Sequence, residues 1–415
     1  MARTGPRHRA QRRPLEWIIH GGFATIALLL GYASTTQSLA LSLAKTNPEK
    51  AHALAPGDGR VAGELAERLA TRNGDAAPRV RAKRLAKEAL GNEPLAAPAL
   101  VALALTTQLE GNTKEARRLF QHSDALTRRE LGTRLWLIED AVARNDVPGA
   151  LRQYDIALRT SKAAPDLLFP VLSEAITDPA ITSALVKTLA TPAPWGDAFI
   201  NDVAQSTKHP VEVASLFQQL SKRGVSVSPF AQSALVNTLV AKGSFAAGWD
   251  YYRSLRPQAR RTTSRDANFS AQLEAPSVFD WVPVMNDAGV TTSLQRTAEG
   301  GLFDFFVPAT VGGVVLQQVQ VLAPGRYRLD GVSSGIDQDR AARPYWQLAC
   351  LSGRELGRIS LPNSSENGGR FNGMFAFNGE CPAQVLRLVT QPSSAIGGTT
   401  GQITHARLRL IGATQ

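Results

Sequence analysis

Between residues 60 and 160, small and apolar residues recur at helical spacing, and the pattern repeats every 34 residues. Leu69, Leu103 and Leu137 fall in step, and so do Ala82, Ala116 and Ala150, each alanine thirteen residues beyond its leucine. Four positions further on stand Ala86, Phe120 and Tyr154. Thirteen residues make about three and a half helical turns with a tight bend, so each repeat is predicted to be a pair of antiparallel helices. The small residues suit the points where two helices touch, and the aromatic ring fills the gap to the next pair. Leu69, Ala82, Leu103, Ala116, Phe120, Leu137, Ala150 and Tyr154 are therefore the expected packing positions between repeats. A pair of this size cannot bury its own face, so the pairs are expected to stack as a solenoid.

Helical patterning continues out of phase to about residue 256. Proline follows a polar residue at "TDPAITSALVKTLA", "KHPVEVASLFQQL" and "VSPFAQSALVNTLVAKG", which marks helix starts, while Gly224 and Gly243 mark stops. The helical domain is thus placed at residues 45–256. Residues 257–277 are expected to form a linker or extended seam, with arginines on a solvated face. From 278 to 415 the period shortens to two. Runs such as "LFDFFVP", "RYRLDGVS", "YWQLACL" and "QVLRLV" are separated by Gly, Pro, Asn and Ser at the spacing of an antiparallel β-sandwich. The expected fold class is multidomain, α then β.

The N-terminus has a different pattern. Five arginines in residues 1–14 precede a stretch from Trp17 to Ala44 with no Asp, Glu, Lys or Arg. A bilayer span needs about 20 predominantly apolar residues, and basic residues hold the preceding end in the cytoplasm. A single membrane helix over residues 15–37 is expected, with Trp17 and Tyr32 at the two interfaces; a cleaved signal ending near "GYA" (31–33) is the rival reading. Either way the body is exported. Cys350 and Cys381 are the only cysteines, and an even, sparse count in an exported chain favours one disulfide over two buried thiols. The net charge of +11 is densest in residues 1–50, with seven Lys/Arg against two acids, so a nucleic-acid partner is not expected.

Period and pattern together resemble the tetratricopeptide repeat. Its small, aromatic, small positions fall on Ala82/Ala86/Ala89, Ala116/Phe120/Ser123 and Ala150/Tyr154/Ala157. "LAPGRYRLDG" and the "WQLAC…CPAQVLRL" pair resemble sandwich modules carried by tetratricopeptide proteins of bacterial surface-polysaccharide synthesis, with Val385 where that group has a tryptophan. The resemblance implies a periplasmic body on the bacterial inner membrane, envelope proteins docked by the repeats, and a polysaccharide contact on the sandwich.

Strong catalytic motifs are missing from the sequence, and no cofactor or metal is expected. "GVSSG" (331–335) has the form of a serine-hydrolase elbow, with Asp337, Asp339 and His405 downstream. That elbow needs a strand, a sharp turn and a helix in a parallel sheet, which an all-β segment cannot supply. A hydrolase using Ser333 is the remote alternative. A non-enzymatic scaffold is the leading expectation, and a general envelope assembly or division factor is the other. The expected partner face, on the first helix of each repeat, comprises Glu64, Glu67, Arg68, Gln108, Arg134, Glu139 and Asp140. Their mixed signs suit a protein segment better than a polyanion. Trp281, Tyr345 and Trp346 are the candidate glycan rings, because flat rings beside polar turns can stack on sugar C–H faces.

Overall fold

A computed structural model describes residues 14–72, 76–297 and 300–412; the arginine head lies outside them. The chain divides into two compact units, at Ala164/Pro165. That division falls within the helical stretch predicted over residues 45–256.

The first unit opens with α1 (Pro14–Leu43), a 30-residue helix that extends beyond the span expected at 15–37. Its stretch Ile19–Leu43 is long and apolar enough to cross a membrane. Thr25, Thr35 and Thr36 turn their hydroxyls back to the carbonyls of Gly21, Gly31 and Tyr32, at 2.7–3.0 Å. Polar groups on an apolar helix are satisfied within it in this way. Its last turns are not free. Ala40 and Ala44 pack with Ala51, Ala55 and Val61.

Seven more helices follow in the same unit: α2 (Pro48–Leu54), α3 (Gly59–Ala70), α4 (Ala76–Asn92), α5 (Ala97–Leu109), α6 (Thr113–Leu126), α7 (Leu131–Ala143) and α8 (Val147–Thr160). Side chains that sequence rules favour cap them. Asp58, Asn112 and Asp146 each accept a backbone N–H in the first turn of α3, α6 and α8. The repeat pairs are α3/α4, α5/α6 and α7/α8. Ala82, Ala116, Phe120, Ala150 and Tyr154 are buried, and Leu69 is too, whereas Leu103 and Leu137 are half-buried against the neighbouring clusters. Phe120 stacks on Trp136 with centroids 4.5 Å apart. Gly63 is required for close approach: a Cβ there would lie 2.8 Å from the Ala99 nitrogen.

The second unit begins with α9 (Ala164–Ala175), α10 (Pro179–Leu189), α11 (Gly196–Ser206), α12 (Pro210–Lys222), α13 (Pro229–Ala241) and α14 (Phe245–Leu255). Gly224 and Gly243 stand just past α12 and α13 with φ of 76° and 77°, the left-handed stop that the sequence marks. Ten strands complete the unit: β1 (Val282–Pro283), β2 (Thr291–Thr297), β3 (Gly300–Val307), β4 (Gly313–Gln320), β5 (Gly325–Ser334), β6 (Tyr345–Cys350), β7 (Glu355–Ser360), β8 (Arg370–Phe377), β9 (Gln384–Thr390) and β10 (Thr399–Gly412). They form two antiparallel sheets, ordered β1-β4-β9-β6-β7 and β2-β3-β10-β5-β8. Phe303, Phe305, Tyr327, Trp346, Phe375, Phe377 and Leu388 fill the core of this β region. Cys350, at the end of β6, and Cys381, before β9, are joined by a disulfide with Cα atoms 5.9 Å apart.

The stretch expected as a linker or extended seam is a packed seam. Ser264 N donates to the Leu408 carbonyl at 2.9 Å, and Thr263 pairs with Arg409 of β10. Arg265, expected on the solvated face, is buried. Its guanidinium donates to the Phe279 and Val319 carbonyls and to Gln320 Oε1, and lies 5.4 Å from the Trp249 ring centre. Burial pushes its pKa down to about 10.

Candidate docking groove

In the first unit a groove of about 350 Å³ is walled by the end of α1, α3, the start of α7 and the turn after α8. Each wall follows from local sequence. α3 presents Glu64, Glu67 and Arg68 at spacings of three and four, which places them on one stripe. Thr127 to Glu130 leave the helical pattern before Leu131, so Arg129 and Glu130 stand at the mouth of α7. Gly132 opens room for the Glu67 carboxyl, because a Cβ there would sit 2.7 Å from Glu67 Oε1.

The charges are layered. Glu64, Glu67 and Glu130 are half-buried on the floor, whereas Lys45, Arg68 and Arg129 are exposed at the rim. Arg68 Nη2 donates to the Lys45 carbonyl at 3.1 Å, tying α3 to the end of α1. Burial, followed by repulsion from Glu130 and Glu64, pushes the Glu67 carboxyl up to about 8; Lys45 opposes the shift. Burial also raises Glu64 and Glu130 above the ordinary carboxylate range. A floor carboxyl that holds its proton near neutrality is matched by a ligand that brings a cation. Lysine or arginine side chains and amino termini meet that need. No group of three His, Cys, Asp or Glu suited to a metal ion occurs among the described residues.

Of the seven residues expected as one partner face, three line this groove. Arg134 is a correction: it is fully buried, paired with Asp124 and donating to Gln153 Oε1 at 2.5 Å, so it braces repeats instead of facing a ligand. Asp140 is likewise held, by Arg117 at 2.5 Å and Arg144 at 3.1 Å. Gln108 donates to Thr113 across the turn at 3.3 Å, and Glu139 is exposed outside the groove lining. Lys45, Arg129 and Glu130 were missed. They stand outside the repeat's first helices, and only the folded chain brings them to α3.

The sandwich rings require a second correction. Trp281 and Trp346 lie in the core, 3% and 0% exposed, with centroids 5.7 Å apart, so neither can stack on a sugar. Tyr345 is half-buried with Arg358 over its face at 4.8 Å. Ser333 is buried and donates to the Gly369 carbonyl at 3.1 Å. His405 points to the opposite face of the sheet, with Nδ1 2.6 Å from Asn268 Oδ1. These two side chains cannot form a nucleophile and base pair.

No protein-family model matches the chain, and no curated protein matches it. Solved structures are similar in part. The enzymatically active domain of tailspike protein 4 from bacteriophage CBA120 is 15% identical over 35% of this chain and 21% of its own, with a TM-score of 0.25. The Gap123 glycosylation-associated complex from Streptococcus agalactiae is 12% identical over 29% and 39%, at 0.20. The APC/C hetero-tetramer Cut9–Hcn1 is 12% identical over 55% and 44%, at 0.26. This chain spans about a fifth of the tailspike chain, and at these scores none of the likenesses carries an argument about function.

Proposed function

We propose that the protein is a membrane-tethered, non-enzymatic scaffold whose helical-repeat unit holds a basic segment of a partner protein in the groove between α1, α3 and α7. The observation that carries this reading is the layered charge of the groove: half-buried Glu64, Glu67 and Glu130 beneath exposed Lys45, Arg68 and Arg129. An entering cation meets three carboxyl groups at the floor, of which Glu67 gives up its proton on binding, while the rim cations suit acidic residues flanking it. The apolar helix α1 and the disulfide support placing the body outside the cytoplasm, in the periplasm, since disulfides persist in oxidising compartments. Assembly or export of a surface polysaccharide is the pathway proposed, on the sequence resemblance of the sandwich.

A photo-crosslinker carried at position 68 of the full chain in its membrane should trap one partner, whereas the same group at position 81 on α4 should not. Glu64→Lys with Glu130→Lys should abolish the crosslink while circular dichroism stays unchanged. Equal trapping at both positions, or trapping indifferent to the charge reversal, would overturn the reading.

A further inference from the structure

Strand alternation in β5 turns Tyr327, Leu329 and Gly331 inward and Arg326, Arg328 and Asp330 outward. In β10 it turns Ala406 and Leu408 inward and Arg407 and Arg409 outward. The register sets Arg407 opposite Asp330 and Arg409 opposite Arg328, and β8 on the other side sets Arg370 opposite Val332. Five arginines therefore share one solvent face of the sheet. Following the strand axis, they stand level with residues 326, 328, 330 and 332, a ladder of steps of about 7 Å over roughly 20 Å.

The face is under-neutralised. Among the described residues Asp330 alone pairs with these arginines, 3.4 Å from Arg407 and 3.2 Å from Arg409, and it lies 3.8 Å from His405; Asp304, on the same side of β3, accepts from Gln402 at 3.0 Å instead. The side chains of Arg326, Arg328 and Arg370 are exposed and make no hydrogen bond or ion pair among the described residues. Arg328 and Arg409 are directly opposed, and like charges in that position destabilise a sheet. Folding gains nothing from such an arrangement, so a ligand is its natural counterpart. No Lys occurs beyond residue 250, and the planar fork of Arg matches a carboxylate with two parallel hydrogen bonds. A single anionic group cannot span the ladder. Exposed apolar side chains are sparse among the cations: Met374 stands opposite Arg328, Ile411 lies at the end of β10 beyond Arg409, and Phe306 lies on β3 opposite Thr400, away from the ladder; an anionic membrane surface is the rival that the test separates.

We propose that this face binds a linear acidic polysaccharide, its carboxylates taken in succession by Arg326, Arg328, Arg407, Arg409 and Arg370. The inference rests on the proposed location outside the cytoplasm and deepens the proposed polysaccharide pathway by naming the ligand class and the face that holds it; it does not use the groove. The test takes the full chain reconstituted in phosphatidylcholine nanodiscs, so that α1 is already in lipid, and measures binding to polygalacturonate, neutral dextran, phosphatidylglycerol vesicles and single-stranded DNA. Polygalacturonate should bind and dextran should not, and added salt should weaken the complex. Arg328→Gln with Arg409→Gln should lower affinity about tenfold or more, whereas Arg354→Gln, away from this face, should not. Thermal unfolding should be unchanged or raised in the double variant; if that variant fails to fold, Arg326→Gln with Arg370→Gln makes the same test. Glu64→Lys with Glu130→Lys should retain polymer binding, which separates this inference from the groove. Affinity unmoved by either arginine pair, or tighter binding to vesicles or DNA than to polygalacturonate, would overturn it.

Discussion

Arg265 and Glu67 are two charged side chains whose surroundings, not their identities, decide what they do. Arg265 satisfies Gln320 Oε1 and the Phe279 and Val319 carbonyls inside the second unit. Arg265→Ala would leave those acceptors buried and unpaired, at a cost of about 3 kcal/mol or more, read as a lower urea midpoint. A lone arginine between serine and aspartate reads as polar surface, because its partners lie 14 to 55 residues away along the chain. Arg134 misleads for the same reason. Glu67 has a pH consequence. Its folded pKa of about 8 lies above the ordinary 4.5, so the folded state keeps a proton that the unfolded chain releases. The stability this group contributes is complete below about 4.5 and is lost as pH rises towards 8. Glu67→Gln should flatten that decline and leave the protein about 1–2 kcal/mol more stable than the parent at pH 8, by urea unfolding at pH 5 and pH 8. Binding of a basic segment should release a proton and tighten between pH 6 and 8, measurable by titration calorimetry in two buffers of different ionisation heat.

Among the elements, legibility followed periodicity. The 34-residue phase located α3 to α8, because small and aromatic residues recur where helices must touch. Phe120 stacks on Trp136 in that interior, so Phe120→Ala should cost about 3–5 kcal/mol, against little for exposed His122→Ala. The strand runs with buried alternation were equally readable. β2 was not: "TTSLQRT" is a polar edge strand whose pairing with β3 is its whole signature. The cysteines were readable by count and context. Their bridge closes a sequence separation of 31, worth about 3–4 kcal/mol in the chain-entropy model. Reductant should lower the sandwich's urea midpoint accordingly, and an unchanged midpoint would show that the bridge adds nothing. The groove was half legible. The α3 stripe could be read, but its opposite walls could not, because the turns that carry Lys45 and Glu130 have no period.

For the whole molecule, the proposed topology rests on an apolar helix behind an arginine-rich head. A reporter active only in the cytoplasm, fused after Gln415, should stay silent, and activity would reverse the assignment. One feature of α1 then bears on what reaches the groove. The helix is 30 residues, about 45 Å, against roughly 30 Å of hydrocarbon, and its surplus turns are cemented into the first unit through Ala40 and Ala44. Ala44 and Lys45 are themselves groove wall. On the proposed topology the groove stands at a fixed height, within a few helical turns of the lipid surface, with no slack to swing outward. Chains already attached to the same bilayer therefore meet it at a raised effective concentration. Occupancy by them would follow the number of such chains per unit of membrane area, and diluting the surrounding fluid would leave it unchanged.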